Sequence, residues 1–322
     1  MKKPSIREVA ELAGVSTATV SHVLNGTRFV TEETIQKVML AVKELQYTPN
    51  TIARGFRTGK SKTIGFILPD ISNHFFSSLV EIIENYLSAH NYHLIIAITR
   101  EDIKSELEHL QYFASGSTDG IILASAANDC SIMKNILPDS FPITFIDRHP
   151  DNLYNDSVII NSEHAILGAI NYLINKGHRR IGFLSGLPAL STTVERLQAY
   201  KSALKQNNID FDSSMISFGN SRIDSTKIGT DSLISNGCTA IVVCNGLMTY
   251  EAQQYLWESN NDHSQQIEIV GFKDEYRLAA GSAFISQPIE ELGTIAAKQI
   301  LNRINNPDAP VREIILSSRF VT

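Results

Sequence analysis

The chain has 322 residues, 43% of them hydrophobic, and a formal net charge of -6, enough for two or three hydrophobic cores rather than one. No apolar run approaches the ~20 residues of a membrane span, and the first residues lack the basic-then-apolar order of a signal peptide, so a cytoplasmic protein is expected. Cys130, Cys238 and Cys244 are odd in number and lack CxxC spacing, which argues against a disulfide framework or a zinc site and leaves buried thiols, with no cofactor expected.

In chain order, SIREVAELAGVSTATVSHVLN (residues 5–25) reads as two short helices joined by a Gly-containing turn, the layout that puts a helix into the DNA major groove. Ser5 and Glu8 have capping-box spacing, so a helix starts at Ile6 and buries Val9, Ala10 and Ala13. Gly14 ends it, and Ser16 caps a second helix from Thr17 to Leu24. On this helix Val20, Val23 and Leu24 face inward, which leaves Thr17, Thr19, Ser21 and His22 outward, the polar side chains that base edges require. Asn25 and Gly26 supply a left-handed stop, and Thr31 with Glu32 and Glu33 starts a third helix, its acids in the dipole-favoured first turn. Spacing alone is equally compatible with any small helical bundle. Charge separates the two readings: residues 1–62 hold ten Lys or Arg against five acids, net +5, while the remainder carries -11. A basic head on an acidic body suits a head that touches phosphates.

TPNTIARGFRTGKSKT follows, where Pro49 ends the third helix and Asn50 can cap a short one to about Arg57. Ile52 and Phe56 share a face flanked by Arg54 and Arg57, a composition suited to a wedge in the minor groove; the alternative is a basic linker whose Phe56 packs on the body.

From Thr63 onward, β-branched runs (TIGFILP, HLIIAI, DGIILA, ITFID, SVIIN, RIGFL, AIVVC, EIVGF, AFIS) alternate with helical patterns, the signature of doubly wound parallel sheets. Their number predicts two lobes, about 63–160 and 161–290, with a C-terminal helix Ile289–Ile304 and the run REIILS returning toward the interface. Ligands in such folds sit outside the carboxyl ends of the strands. Those ends offer Asp70, Phe75, Phe76, Ser125, Asp147, Arg148, Asn245, Lys273, Asp274 and Gln287, a polar rim with an aromatic pair suited to a ring. Several would serve equally as helix caps. Arg196, in the helix after RIGFLSG, is a long cation near the cleft that calls for an anionic or hydroxyl partner. No GxGxxG, Walker loop, GxSxG or HExxH occurs, and the adjacent acid pairs cannot form a dyad, so binding without turnover is expected.

These segments together resemble the lactose- and galactose-repressor (LacI/GalR) family of bacterial transcription regulators over essentially the whole length. The resemblance rests on IREVAELAGVSTATVSHVLNGTRFVTEET, TPNTIARGFRTGKSKTIGFILPDISNHFF, DGIIL, FIDR, NKGHRRIGFLSG and SQPIEELG. It implies an N-terminal helix-turn-helix head (1–48), a hinge helix and linker (49–62), and a two-lobed body of periplasmic-binding-protein type (63–322). It further implies a homodimer on pseudo-palindromic operator DNA, a small-molecule effector of sugar type and no membrane. By position Ser16, Thr17, Thr19, Ser21, His22, Asn25 and Arg28 fall on the DNA-facing head, and Asn50, Ala53, Arg54, Phe56 and Arg57 on the hinge. Within the family the head is most similar to purine-type repressors and the body to fructose- and sucrose-type ones, with Arg196 at the ligand-binding arginine. Three positions depart: Phe56 replaces the hinge leucine, Asn245-Gly246 the frequent Asn-Asp, and Lys273 the pocket Asp. The last two add three positive units locally, which predicts a phosphorylated sugar or sugar acid; with Lys273 turned to solvent, a neutral sugar would bind. A periplasmic-type solute-binding protein or a sugar- or nucleotide-using α/β enzyme are the competing readings. The first lacks support from the cationic head, the second from the missing phosphate loops.

Overall fold

The computed structural model describes residues 4–48, 60–138, 140–152, 154–220, 223–259, 267–273 and 283–322. It divides into two compact units, Met1–Ser61 and Lys62–Thr322.

The first unit holds α1 (Ile6–Ala13), α2 (Thr17–Asn25) and α3 (Glu32–Glu44), of which α1 and α2 begin and end where their caps dictate, while Thr31 makes no side-chain cap to α3. Ser5 and Glu8 close a reciprocal capping box, the Ser16 side chain accepts from the Thr19 amide, and Gly14 and Gly26 stop their helices at φ 65° and 62°. Such left-handed backbone carries little penalty only for glycine. Val9, Ala10, Val20, Val38 and Ala41 form the core, with Val23, Leu24 and Tyr47 packed around it.

The second unit holds two parallel sheets. The first lobe contains β1 (Thr63–Leu68), β2 (His93–Ile98), β3 (Gly120–Leu123), β4 (Ile143–Asp147), β5 (Asp156–Asn161) and β11 (Glu313–Ser317) in the order β11-β5-β4-β3-β1-β2. The second contains β6 (Ile181–Ser185), β7 (Ile216–Phe218), β8 (Ala240–Val243) and β9 (Glu268–Gly271) in the order β7-β6-β8-β9. All pairs in both are parallel. The continuous apolar runs follow from burial on both faces: β1, β3, β4, β6 and β8 are buried almost throughout, as a sheet covered by helices on each side requires. In each lobe the order reverses beside the first strand, so the switch points lie between β1 and β3 and between β6 and β8.

Three features differ from the sequence reading. The helix α10 (Ile289–Asn305) places Leu292, Ala296, Ala297 and Ile300 in the first lobe's core, against Leu79 and Ile83 of α4 (His74–Ala89). Its neighbour β11 pairs in register with β5, Glu313 opposite Ser157. The C-terminal segment is therefore part of the first lobe, because α10 covers one face of that sheet and β11 extends its edge. The run AFIS, as β10 (Phe284–Ser286), does not join a parallel sheet; it pairs antiparallel with β12 (Arg319–Val321). The chain thus passes between lobes three times, near Asn161–Ser162, Gln287–Pro288 and Ser317–Ser318. At two of these crossings the buried hydroxyls of Ser162 and Ser318 meet at 2.9 Å, and the Ser318 amide donates to the Asn161 carbonyl.

Candidate functional sites

On the head, α2 presents Thr17 fully outward, while Thr19, Ser21 and His22 are half-buried. Much of the polar set is internally engaged. The hydroxyls of Ser16 and Thr19 lie 2.9 Å apart, and the Asn25 amide donates to the Ser21 carbonyl at 2.6 Å. His22 Nδ1 sits 2.8 Å from Thr27 Oγ1, which fixes the ring and leaves Nε2 for a base edge. Arg28 is exposed, and beside it Phe29 is 94% exposed. Thr27 and Phe29 were not singled out by spacing, since both follow the helix stop in a segment without periodicity. The hinge candidates Asn50, Ala53, Arg54, Phe56 and Arg57 lie outside the described residues.

In the body, a cleft of about 450 Å³ opens at the carboxyl ends of both sheets, lined from the first lobe by Asp70, Phe75, Phe76, Arg100, Glu101, Asp147 and Arg148, and from the second by Thr193, Arg196, Asn245 and Gly246, with Gln287 at a crossing. This is where an open parallel sheet gathers ligands. Three helices start at its wall: α4, capped by Asn73; α7 (Ser191–Gln206), without a side-chain cap; and α9 (Gly246–Glu258), capped by Asn245. Phe75 and Phe76 meet edge to face with centroids 5.1 Å apart. Arg196 is 8% exposed, donates from one nitrogen to the Cys244 carbonyl at 2.6 Å, and lies 4.2 Å over the Phe272 ring. Asp147 is buried at φ 68°. Burial pushes its carboxyl above the usual range, while Arg196 and Arg148 pull it back.

Of the residues expected at this rim, Asp70, Phe75, Phe76, Asp147, Arg148, Arg196, Asn245 and Gln287 line the cleft. Ser125 does not: its side chain turns inward, donating to Glu106 Oε1 at 2.7 Å and accepting from the Ala127 amide. Lys273 is also not among the lining residues. Pairing of Phe272 with Ile285, and the Lys273 amide donating to the Ile285 carbonyl at 3.0 Å, hold that segment extended along β10. Its half-buried ammonium is held below the usual lysine range by desolvation. Asp274 lies outside the described residues. Among the lining residues missed are Arg100 and Glu101, although they stand just beyond the carboxyl end of β2, the same signal that marks the other strand ends. Glu101 takes both terminal nitrogens of Arg148, at 2.7 and 2.6 Å. Burial acts to lower the Arg148 guanidinium, and the pairing with Glu101, together with the charges of Asp147 and Glu106, more than offsets it. Among the described residues no group of His, Cys, Asp or Glu is arranged to hold a metal ion, and no helix is long and apolar enough to cross a membrane. Burial pushes Cys130 up to about 12, and Cys238 and Cys244 each up to about 11, so all three are inert thiols at neutral pH.

A helix-turn-helix unit with a polar recognition helix, followed by a two-sheet unit with a ligand-sized interlobe cleft, defines a ligand-regulated DNA-binding protein. Residues 5–50 match the model of bacterial regulatory proteins of the lacI family, and residues 61–322 that of periplasmic binding proteins and the sugar-binding domain of the LacI family; the chain belongs to the LacI family of transcriptional repressors and is not an enzyme. It is 33% identical to the ribose operon repressor of Haemophilus influenzae, over 98% of this chain and 97% of that one. To the transcriptional repressor PurR of Vibrio atlanticus it is also 33% identical, over 94% and 93%. Among solved structures it is similar to a complex of the regulator CelR with cellobiose (TM-score 0.72, 26% identity, 99% and 98% covered). The fold is shared with a lac repressor dimer bound to operator (TM-score 0.85, 23% identity, 100% and 98% covered). Members of the family bind operator DNA as dimers and respond to small-molecule effectors.

Proposed function

We propose that this chain acts as a homodimer that represses carbohydrate uptake or catabolism genes from a pseudo-palindromic operator, under control of a sugar or close sugar derivative seated in the interlobe cleft. The observation that carries the effector reading is the cleft lining itself. An aromatic pair suited to a sugar ring faces Asp70, Asp147, Arg196, Asn245 and Gln287, donors and acceptors suited to hydroxyls. The expectation of a phosphorylated sugar or sugar acid rested on Lys273 together with Gly246 in place of the frequent Asp, with Arg196 and Arg148 nearby; of these Lys273 does not line the cleft. Without Lys273 the formal charges of the described lining residues cancel, Asp70, Glu101 and Asp147 against Arg100, Arg148 and Arg196, so an uncharged sugar is the effector class favoured. The similarity to a ribose operon repressor and to a regulator bound to cellobiose supports the same class.

The test has two arms. Selection from a random DNA pool should recover an inverted repeat, with log affinity falling steeply against log salt. Anisotropy on that operator, titrated with pentoses, hexoses and disaccharides beside their phosphate esters, should then change with a neutral sugar and lose that response in Arg196→Ala. A pool that yields no inverted repeat overturns the DNA reading. An operator affinity that ignores every sugar, or an Arg196→Ala response identical to wild type, overturns the effector reading.

A further inference from the structure

Three supports from three strand ends converge on Arg148. At the end of β4, Asp147 at φ 68° forms the centre of a tight turn closed by the Arg148 amide on the Ile146 carbonyl at 2.7 Å, a rare and strained backbone for a residue with a side chain. At the end of β2, Arg100 and Glu101 are consecutive left-handed residues at φ 55° and 61°, pinned by the Arg100 amide to the Pro69 carbonyl. Beyond β3, the fully buried Glu106 holds the loop from beneath, accepting from Ser125 Oγ at 2.7 Å and from the Ala126 amide at 2.6 Å. That anchoring leaves the Ser125 carbonyl free to accept from Arg148 at 2.8 Å. Both terminal nitrogens of Arg148 are therefore engaged within the first lobe, one by Glu101 and Ser125 and the other by Glu101. Its remaining nitrogen, Nε, is buried without a hydrogen-bond partner, 3.8 Å from Asp147. Arg148 is nevertheless a wall of the cleft, and Glu101, a quarter exposed, lines it too.

We infer that Glu101 is the residue that sets the charge preference of the effector cleft, by neutralising Arg148 in a bidentate pair so that the cleft admits an uncharged ligand and rejects its anionic counterpart. This rests on the cleft being the effector site. With its two terminal nitrogens forked onto a carboxylate and its Nε buried, the guanidinium turns no accessible pair of donors toward an approaching phosphate, and the adjacent Glu101 charge repels it. Freed of that carboxylate, Arg148 would present a planar pair of donors into a cleft that already holds Arg196, a constellation suited to phosphate. Three strained or fully buried supports for one ion pair also mean that the pair is positioned by the backbone rather than by chance encounter of two long side chains.

The inference is tested on the full chain with inorganic phosphate, which needs no knowledge of the natural effector. Thermal unfolding is compared in phosphate and in chloride at equal ionic strength for wild type, Glu101→Gln, Glu101→Asp and the double variant Glu101→Gln/Arg148→Gln. Phosphate bound by the head contributes equally to all four. Glu101→Gln should gain several degrees specifically in phosphate; wild type and Glu101→Asp, which keeps the charge, should not, and the double variant should lose the gain. In calorimetry, Glu101→Gln should shift the preference between a sugar and its phosphate ester at least tenfold toward the ester. No phosphate-specific gain in Glu101→Gln, the same gain in the double variant, or an equal gain in wild type overturns the inference. Because the phosphate arm reads the ion pair directly, it stands even where operator binding ignores every sugar, the outcome that overturns the effector reading instead.

Discussion

The hydroxyl pair at the lobe crossings makes a sharp quantitative prediction. Ser162 and Ser318 are 7% and 6% exposed, and their oxygens meet at 2.9 Å across 156 positions of sequence. Ser162→Ala or Ser318→Ala alone leaves the other hydroxyl buried without a partner, which costs about 1–3 kcal/mol. Replacing both removes the donor and the acceptor together and should be nearly neutral, because both sites exchange a polar group for a methyl of similar size. The two single losses therefore do not add, and the double-mutant cycle should return a coupling equal to their sum, on the order of 2–6 kcal/mol. Urea unfolding followed by far-ultraviolet circular dichroism, with a common m value, measures all four corners. Additivity within about 0.5 kcal/mol would refute the reasoning, since it would mean that each hydroxyl finds a separate partner or water at the crossing.

Further outcomes are expected. His22→Ala should weaken operator binding by about 1–3 kcal/mol and relax base preference at one position per half-site, read by anisotropy on single-substituted operators; uniform weakening on all sequences would identify a phosphate contact instead. Gly65→Ala drives a methyl into the ring edge of the buried Phe113, and this overpacking should lower stability by about 1–3 kcal/mol in the same urea experiment; an unchanged midpoint would count against the packing. Burial raises the Glu106 carboxyl, more than its bonds from Ala126 and Ser125 lower it, so the folded state holds that proton more tightly than the unfolded state does. Relative to Glu106→Gln, wild type should gain stability as pH falls from neutral toward the unfolded carboxylate pKa, and lose that gain as pH rises through the folded one. Parallel stability profiles for the two proteins between pH 4.5 and about 7.5 would rule this out.

Local signals were the most legible. The caps of α1 and α2 depend only on residues three or four apart, so Ser5, Glu8, Gly14, Ser16 and Gly26 could be read directly. The inner strands of both sheets stand out because burial on two faces demands unbroken β-branched runs. What escaped depends on distant partners. The place of α10 and β11 in the first lobe follows from pairing with β5 more than 150 residues earlier, which no periodicity encodes. The strands β7 and β12 are three residues each, too short for a pattern. At the site, a strand end marks where a residue sits but not which way it points. Ser125 and Lys273 occupy the expected ends without lining the cleft: the Ser125 hydroxyl turns toward a buried Glu106, and the Lys273 backbone runs along β10. Arg148 does reach the cleft, but its charge there is decided by Glu101, 47 positions away.

The discontinuity of the two lobes has a consequence for synthesis. The head completes its core once Tyr47 has emerged, whereas the first lobe's sheet waits for β11 and the ribbon with β10 waits for β12. At about 5–20 residues per second, the interval between these events is on the order of tens of seconds. A nascent chain therefore carries a folded DNA-reading module well before it owns a ligand cleft, and the capacity to be regulated is the last property it acquires.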